Sequence, residues 1–241
     1  MKICVAQVKP TAGNILQNIT IHKKYVDLAV SFGADAIFFP ELSLTGYEPT
    51  LAKELAIHQG DKRLNVFQKI SDANKITIGV GAPTKQPEGI CISMIVFQPH
   101  RPKRLYSKQY LHEDEEPYFV KGSKSPLLII GDKKIAIAIC YEISIPAHYK
   151  NAYENGASIY LASLAKFKSG IDKSLDRLSQ ISGRYSMTVL MANCIGIADK
   201  QECAGKSSIW NNRGSLLAQL NESTEGMLIL DTETQVTSEV L

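Results

Sequence analysis

Lys134-Ile-Ala-Ile-Ala-Ile-Cys-Tyr-Glu142 is an apolar, half-alternating run that ends on a thiol, a phenol and an acid. Bounded upstream by the polar Gly131-Asp-Lys-Lys134, it predicts a buried strand. Ile143-Ser-Ile-Pro146-Ala-His148 follows, and proline suits the first turn of a helix. A strand that carries a thiol to the mouth of a sheet, just ahead of a helix, is where α/β folds place nucleophiles. Taken alone, the segment favours an inert core cysteine, because free cysteines are among the most buried residues.

Outward from this run, strand patterns alternate with helix patterns. Upstream, residues 2–8 and Ala36-Ile-Phe-Phe-Pro-Glu41 predict strands. Between them, Asn14 to Phe32 predicts a helix with Ile21, Tyr25, Leu28, Ala29 and Phe32 on one face, stopped by Gly33. A second helix is expected over about 61–73, then strands at Thr77-Ile-Gly-Val-Gly81 and Cys91–Phe97. Downstream come a helix to about Asn155, a strand at 158–162 and a helix from about Asp172 to Ser186. Strands follow at 188–192, 208–210 and 227–230, and Asn211-Asn-Arg-Gly214 has hairpin-turn chemistry. Neither a repeat nor a linker divides the 241 residues, so one domain over 1–241 is expected, with helices covering the sheet faces.

Composition narrows the function. Hydrophobic content of 44% and charged content of 21% are ordinary for a globular chain. A net charge of +3, with basic residues scattered apart from His100-Arg-Pro-Lys-Arg104, argues against a nucleic-acid partner. No apolar stretch approaches the length of a membrane span, and the first residues enter a strand directly, so a cytoplasmic protein without a membrane partner is expected. Cys4, Cys91, Cys140, Cys194 and Cys203 show no C-x-x-C spacing, and no zinc or disulfide framework follows.

Two further segments carry chemistry. Phe39-Pro-Glu-Leu-Ser-Leu-Thr-Gly-Tyr47 puts Glu41 directly after an apolar strand, where an unpaired carboxylate is costly to bury. A solvated turn acid is the other reading. Tyr106-Ser-Lys108 closes a short strand, and an acidic run leads from it into Tyr118-Phe119 and Gly122. A charged surface loop would look the same.

In this order, Phe39-Pro-Glu41, Tyr106-Ser-Lys108 and Cys140-Tyr-Glu142 resemble the nitrilase (carbon–nitrogen hydrolase) superfamily, with its F-P-E, Y-x-K and C-Y-[DE] blocks. The resemblance runs to about Leu230. Asp114-Glu-Glu-Pro-Tyr-Phe-Val-Lys-Gly122 matches the family's D-E-x-x-Y-F-x-x-G and singles out Glu115 over Glu113 and Glu116. The resemblance implies an α/β, four-layer α-β-β-α sandwich with two mixed β-sheets, and subunits paired through helices into at least a homodimer. It implies catalysis by Cys140 as nucleophile and Glu41 as proton carrier. Lys108, with the Tyr141 N–H, is the oxyanion donor, and Glu115 orients Lys108 and the substrate. These types belong together because amide hydrolysis through an acyl intermediate needs a nucleophile, a proton carrier and oxyanion donors. Tyr47, Tyr141 and Ser144 are the expected substrate contacts. Neither a metal nor a cofactor is called for, and the expected partner is a small carboxamide, with an N-carbamoyl compound, a nitrile or an idle binding module as alternatives.

The chain also departs from the family. Many relatives continue C-Y-D with L-R-F-P-E, whereas Ser144 and Ala147 stand here in place of the arginine and the glutamate. The substrate of those relatives therefore does not transfer. His148 is read as structural before substrate-binding, and Lys166 and Lys168 could draw an acidic substrate. Asn193 and Gly205-Lys-Ser-Ser-Ile209 resemble later family strands that support the fold.

Overall fold

The computed structural model describes residues 1–58 and 60–241. One mixed sheet contains β1 (Lys2–Gln7), β2 (Ala36–Phe38), β3 (Thr77–Gln86), β4 (Gly89–Phe97) and β5 (Arg104–Ser107). A second contains β6 (Leu128–Ile130), β7 (Lys133–Ile139), β8 (Ile159–Ser163) and β9 (Thr188–Ala192). A short hairpin, β10 (Ile195–Ala198) and β11 (Gln201–Ala204), stands apart. Beyond it, β12 (Ser208–Trp210) and β13 (Leu216–Gln219) extend the second sheet, and β14 (Gly226–Asp231) and β15 (Thr237–Val240) return to the first. The orders are β15-β14-β1-β2-β3-β4-β5 and β13-β12-β9-β8-β7-β6. Within them β1-β2-β3 and β7-β8-β9 run parallel and the remaining neighbours antiparallel.

Strand alternation builds the layers. Ile3, Val5, Ile92, Met94 and Val96 of the first sheet face Ile135, Ile137, Ile139, Leu161 and Leu190 of the second in one buried cluster. The intervening Cys4, Ala6, Ile95 and Phe97 pack outward against Tyr25, Val26 and Ala29 of α1 (Ile15–Ser31). After the one-turn α2 (Ala52–Leu55), α3 (Asn65–Asn74) adds Phe67 to that layer. Ala136 and Ala138, the small partners in the quoted run, lie under Ala152 of α4 (Pro146–Glu154) and Leu178 and Ile181 of α5 (Ile171–Tyr185). The four-layer α-β-β-α sandwich is therefore the observed fold. Local signals behave as their chemistry dictates: Asn14 caps α1 through Gln17 N–H, Gly33 follows it at φ +67°, and Pro146 opens α4.

The structure adds several strand features to the sequence pattern, β6 and β13 among them. The β10–β11 hairpin and β15 are short or polar and carry little periodic signal, and β3 continues well past Gly81 to Gln86. The turn at Asn211 forms as expected, its side-chain oxygen accepting from the N–H groups of Arg213 and Ser215. No helix among the described residues is long and apolar enough to cross a membrane.

Candidate active site

Cys140 follows β7 directly and has φ +43°, a left-handed conformation that costs a side-chain-bearing residue strain. A short turn, Cys140–Ser144, follows before α4, giving a strand–elbow–helix unit. Cys140 remains partly accessible, whereas the other four cysteines are buried.

Glu41 comes from the opposite sheet. The chain leaves β2 through Phe39-Pro40 and folds back on β3, where Leu44 N–H donates to Gly81 O at 2.9 Å. A Cβ on Gly81 would lie 2.3 Å from Pro40 O, so glycine is what allows the turn to seat. His22 of α1 braces the same turn by a 2.9 Å hydrogen bond with Ser43 Oγ, while its Nδ1 lies 2.6 Å from Asn18 O. Across the sheets, Ser163 at the end of β8 donates to Phe39 O at 2.9 Å.

Lys108 sits just past β5 and is fully buried. Its backbone is clamped between Ile92 O (2.8 Å, from its N–H) and the N–H of Gly122 (2.7 Å, to its O). The ammonium donates to Glu41 Oε1 at 2.8 Å and to Glu115 Oε1 at 2.6 Å. Glu115 Oε1 also accepts from Tyr47 OH at 3.1 Å, and its Oε2 accepts from His112 N–H at 2.8 Å. Glu113, Asp114 and Glu116 are exposed while Glu115 is buried, so the acidic run turns one member inward. Glu41 Oε2 accepts no hydrogen bond of normal geometry among the described residues. The Cys140 thiol lies near enough to Glu41 to favour its ionised form, against the net upward push of burial.

One ammonium among two buried carboxylates and a thiol sets the electrostatics. Burial pushes the Cys140 thiol from its usual 9.0 up to about 12, with Glu41 adding to the rise and Lys108 and Lys166 opposing it. Burial also raises the Glu41 carboxyl, against the pull of Lys108 and with the help of Glu115. Burial alone would lower Lys108, but the negative groups around it make the net direction upward. The resting thiol is therefore protonated, and a carboxylate that readily takes a proton stands beside it.

A second buried cluster lies behind the elbow. Glu142 accepts from Ile139 N–H (2.7 Å), Gln109 N–H (2.7 Å) and Tyr106 OH (2.8 Å). It thereby ties the residue before Cys140 to the residue after Lys108. His148 lies 2.8 Å from both Tyr106 OH and Tyr160 OH. Burial pushes Glu142 up to about 7, against these hydrogen bonds, and His148 down to about 4. His148 is thus held in the buried network between two tyrosines. Glu142 was legible only as part of the C-Y-E block; its bridging function depends on partners distant in the chain.

The remaining expected contacts separate. Tyr47 joins the cluster directly, and Tyr141 packs edge-on against His112 with ring centroids 5.2 Å apart. Ser144 is exposed at the end of the elbow turn. Lys168 is paired with Glu202 at 2.7 Å, whereas Lys166 bears electrostatically on Cys140. Asn193 fixes the Lys166 backbone through its N–H (2.8 Å) and O (3.2 Å), giving a concrete task to a residue expected only to support the fold. A cleft of ≈ 510 Å³ opens on the other side of Tyr106 and His148, and neither Glu41, Lys108 nor Cys140 lines it. The elbow that carries Cys140 and the buried Glu41–Lys108–Glu115 cluster, not cavity size, mark the candidate site.

This chain belongs to the carbon–nitrogen hydrolase family, whose pattern it matches over residues 2–240, past the point where the motifs end. Among curated relatives, it is 26% identical to the 2-oxoglutaramate amidase of Bacillus subtilis over 211 residues, covering 86% of this chain and 81% of that protein. It is 23% identical to the glutamine-dependent NAD(+) synthetase of Thermotoga maritima, covering 90% of this chain but only 39% of the synthetase. The chain thus spans about two fifths of that relative's length. In fold it is similar to the amidase from Nesterenkonia sp. AN1, seen in a mutant with acrylamide added to the active-site cysteine. The TM-score is 0.87 at 21% identity, covering 98% of this chain and 94% of that one.

Proposed function

We propose that the protein hydrolyses a small carboxamide to a carboxylic acid and ammonia through a thioester on Cys140. One observation carries this: Glu41 has one oxygen held by Lys108 and the other open beside the thiol of a residue at φ +43°. In the first half-reaction the Cys140 thiol gives its proton to Glu41 as the sulfur attacks the amide carbon. Lys108 and the Tyr141 N–H stabilise the oxyanion, and Glu41 passes the proton to the departing nitrogen. In the second, Glu41 takes a proton from water, the hydroxyl attacks the thioester, and the acid leaves as the thiol re-forms. Glu115 holds Lys108 through Oε1 and is itself fixed by Tyr47 and His112, which makes it a positioning residue.

An amide is favoured over a nitrile because the similar proteins named above include an oxoglutaramate amidase and a glutamine-dependent enzyme. A mutant of the Nesterenkonia amidase was also seen in complex with butyramide. Tyr47 and Tyr141 are the substrate contacts this reading keeps; Ser144 serves only if the substrate extends to the protein surface. The exposed Tyr153 and the half-buried Tyr149 of α4 each pack on the half-buried Tyr185 of α5 with centroids 5.5 Å apart, an aromatic group that suits a homodimer contact.

Hydroxylamine supplied with a panel of small amides tests the reaction. A hydroxamate should appear with the unsubstituted protein and vanish in Cys140→Ala. Equal yield from both proteins rules out a thioester on Cys140.

A further inference from the structure

Cys194 and Cys203 stand at the β10–β11 hairpin, outside the Glu41–Lys108–Cys140 group. The register pairs Ile195 with Ala204 and Gly196 with Cys203, so Cys194 is the diagonal neighbour of Cys203 on one face. Gly196, directly opposite Cys203, places no side chain between them. The Cys194 thiol donates to the Cys203 sulfur at 3.1 Å, and both residues are buried. A disulfide needs about 2.05 Å between sulfurs, so closure asks for an approach of about 1 Å. Neither Cys4 nor Cys91 has another sulfur within hydrogen-bonding distance among the described residues.

The pair is also part of the wall beside the nucleophile. Cys203 bridges Phe167 in an antiparallel pairing, and Ala204 N–H donates to Lys166 O at 2.9 Å. Phe167 packs edge-on against Tyr47 at 6.2 Å between centroids, and Tyr47 holds Glu115. Tyr47 and Phe167 both pack on the cysteine cluster. A bond that shortens the distance between β10 and β11 therefore pulls on a strand tied to the residues facing the substrate.

We propose that Cys194 and Cys203 are an oxidisable dithiol which hydrogen peroxide closes to a disulfide, and that the closed bond alters the Tyr47–Phe167 wall. One sulfur takes an oxygen from the peroxide, becoming a sulfenic acid and releasing one water. The second sulfur then displaces the hydroxyl, which leaves with the thiol proton as a second water. Both S–H bonds are lost, one S–S bond forms, and the two electrons reside in the reduced oxygens. The hydrogen bond with Cys203, followed by burial, holds the Cys194 thiol well above its usual range, so thiolate is scarce and closure is slow.

Peptide mapping after peroxide treatment tests the bond. Trypsin cuts after Arg184, Lys200 and Lys206, which leaves the two cysteines on separate peptides, 185–200 and 201–206. The unsubstituted protein and Cys140→Ala should both yield these peptides linked, lighter by two hydrogens than their sum and separated by dithiothreitol. Recovery of both cysteines as free, alkylated thiols, like Cys4 and Cys91, overturns the proposal. The effect on the wall rests on the amidase reading and is measured on active protein. Oxidation should shift KM at least about twofold in the unsubstituted enzyme and leave KM unchanged in Cys203→Ala. Damage to Cys140 removes active molecules and lowers kcat alone. A linked pair with unaltered KM overturns the wall effect, whereas an untreated enzyme that hydrolyses no amide refutes the amidase reading and leaves the mapping result standing.

Discussion

Glu41 and Glu142 are both buried carboxylates close to the nucleophile, but their surroundings treat them differently. Glu142 accepts three hydrogen bonds, two of them from backbone N–H groups, and lies in a closed network with Tyr106, His148 and Tyr160. Glu41 has a single strong partner, Lys108, and one oxygen left open. A fully satisfied acid rigidifies the framework, because moving it breaks several bonds at once. An acid with an open oxygen in a desolvated place is ready to take a proton. The same residue type is therefore held as a brace in one cluster and, in the proposed reaction, is placed to carry a proton in the other.

Substitution of each acid by its amide is the most direct way to break this contrast. Glu41→Gln should lower kcat by about 10²–10⁴-fold, the usual range for a lost general acid–base, with the thermal unfolding midpoint little changed. Near-normal kcat, or an unfolded protein, would place Glu41 with the braces. Lys108→Met should cost about 3–5 kcal/mol in a urea titration, since it leaves two buried carboxylates without their cation. It should also abolish turnover. Glu142→Gln should cost about 1–3 kcal/mol, because an amide cannot accept at both of its ends. Its kcat should fall less than that of Glu41→Gln; a larger fall would make the brace the more important acid.

Acidity gives the most discriminating effect. His22 and His148 both have pKa values lowered by burial to about 4, below the usual 6.5, so the unfolded chain binds more protons between those values. Each therefore withdraws stability as pH falls from 6.5 towards 4, by on the order of 3 kcal/mol. Glu142, raised from 4.5 to about 7, acts in the opposite sense, favouring the fold at lower pH across that interval. Glu41, also raised by burial, acts in the same sense as Glu142, so two carboxyls oppose two histidines and each substitution reads one side of that balance. Urea midpoints measured from pH 7 to pH 4.5 should fall more steeply in Glu142→Gln and less steeply in His22→Gln. The reverse order would mean that the buried histidines do not control the acid limb.

Much of this was legible from the chain. The Ile-Ala alternation of β7 and the apolar face of α1 were readable as a strand and a covering helix, because such periods are local properties; the four-layer sandwich was implied by the family resemblance. Glu41, Lys108, Glu115 and Cys140 were legible as ordered blocks, and the burial of Glu115 beside three exposed acids agrees with the choice made among them. The bracing partners of Glu142, the Tyr47–Glu115 bond and the approach of Cys194 to Cys203 were not. Each depends on how a loop closes over a sheet end, and spacing along the sequence does not encode that. β6, β10, β11, β13 and β15 were missed for a simpler reason: strands of three or four residues are too short to give a period to count.

Ser163 donates to Phe39 O across the two sheets, and that bond has a consequence for assembly. Glu41 and Lys108 belong to the first sheet and Cys140 to the second. A chain with both sheets formed but not yet packed together has every residue of the site and no site. In the proposed reaction, chemical competence therefore requires the two half-cores to be docked, and turnover should return during refolding no earlier than that docking.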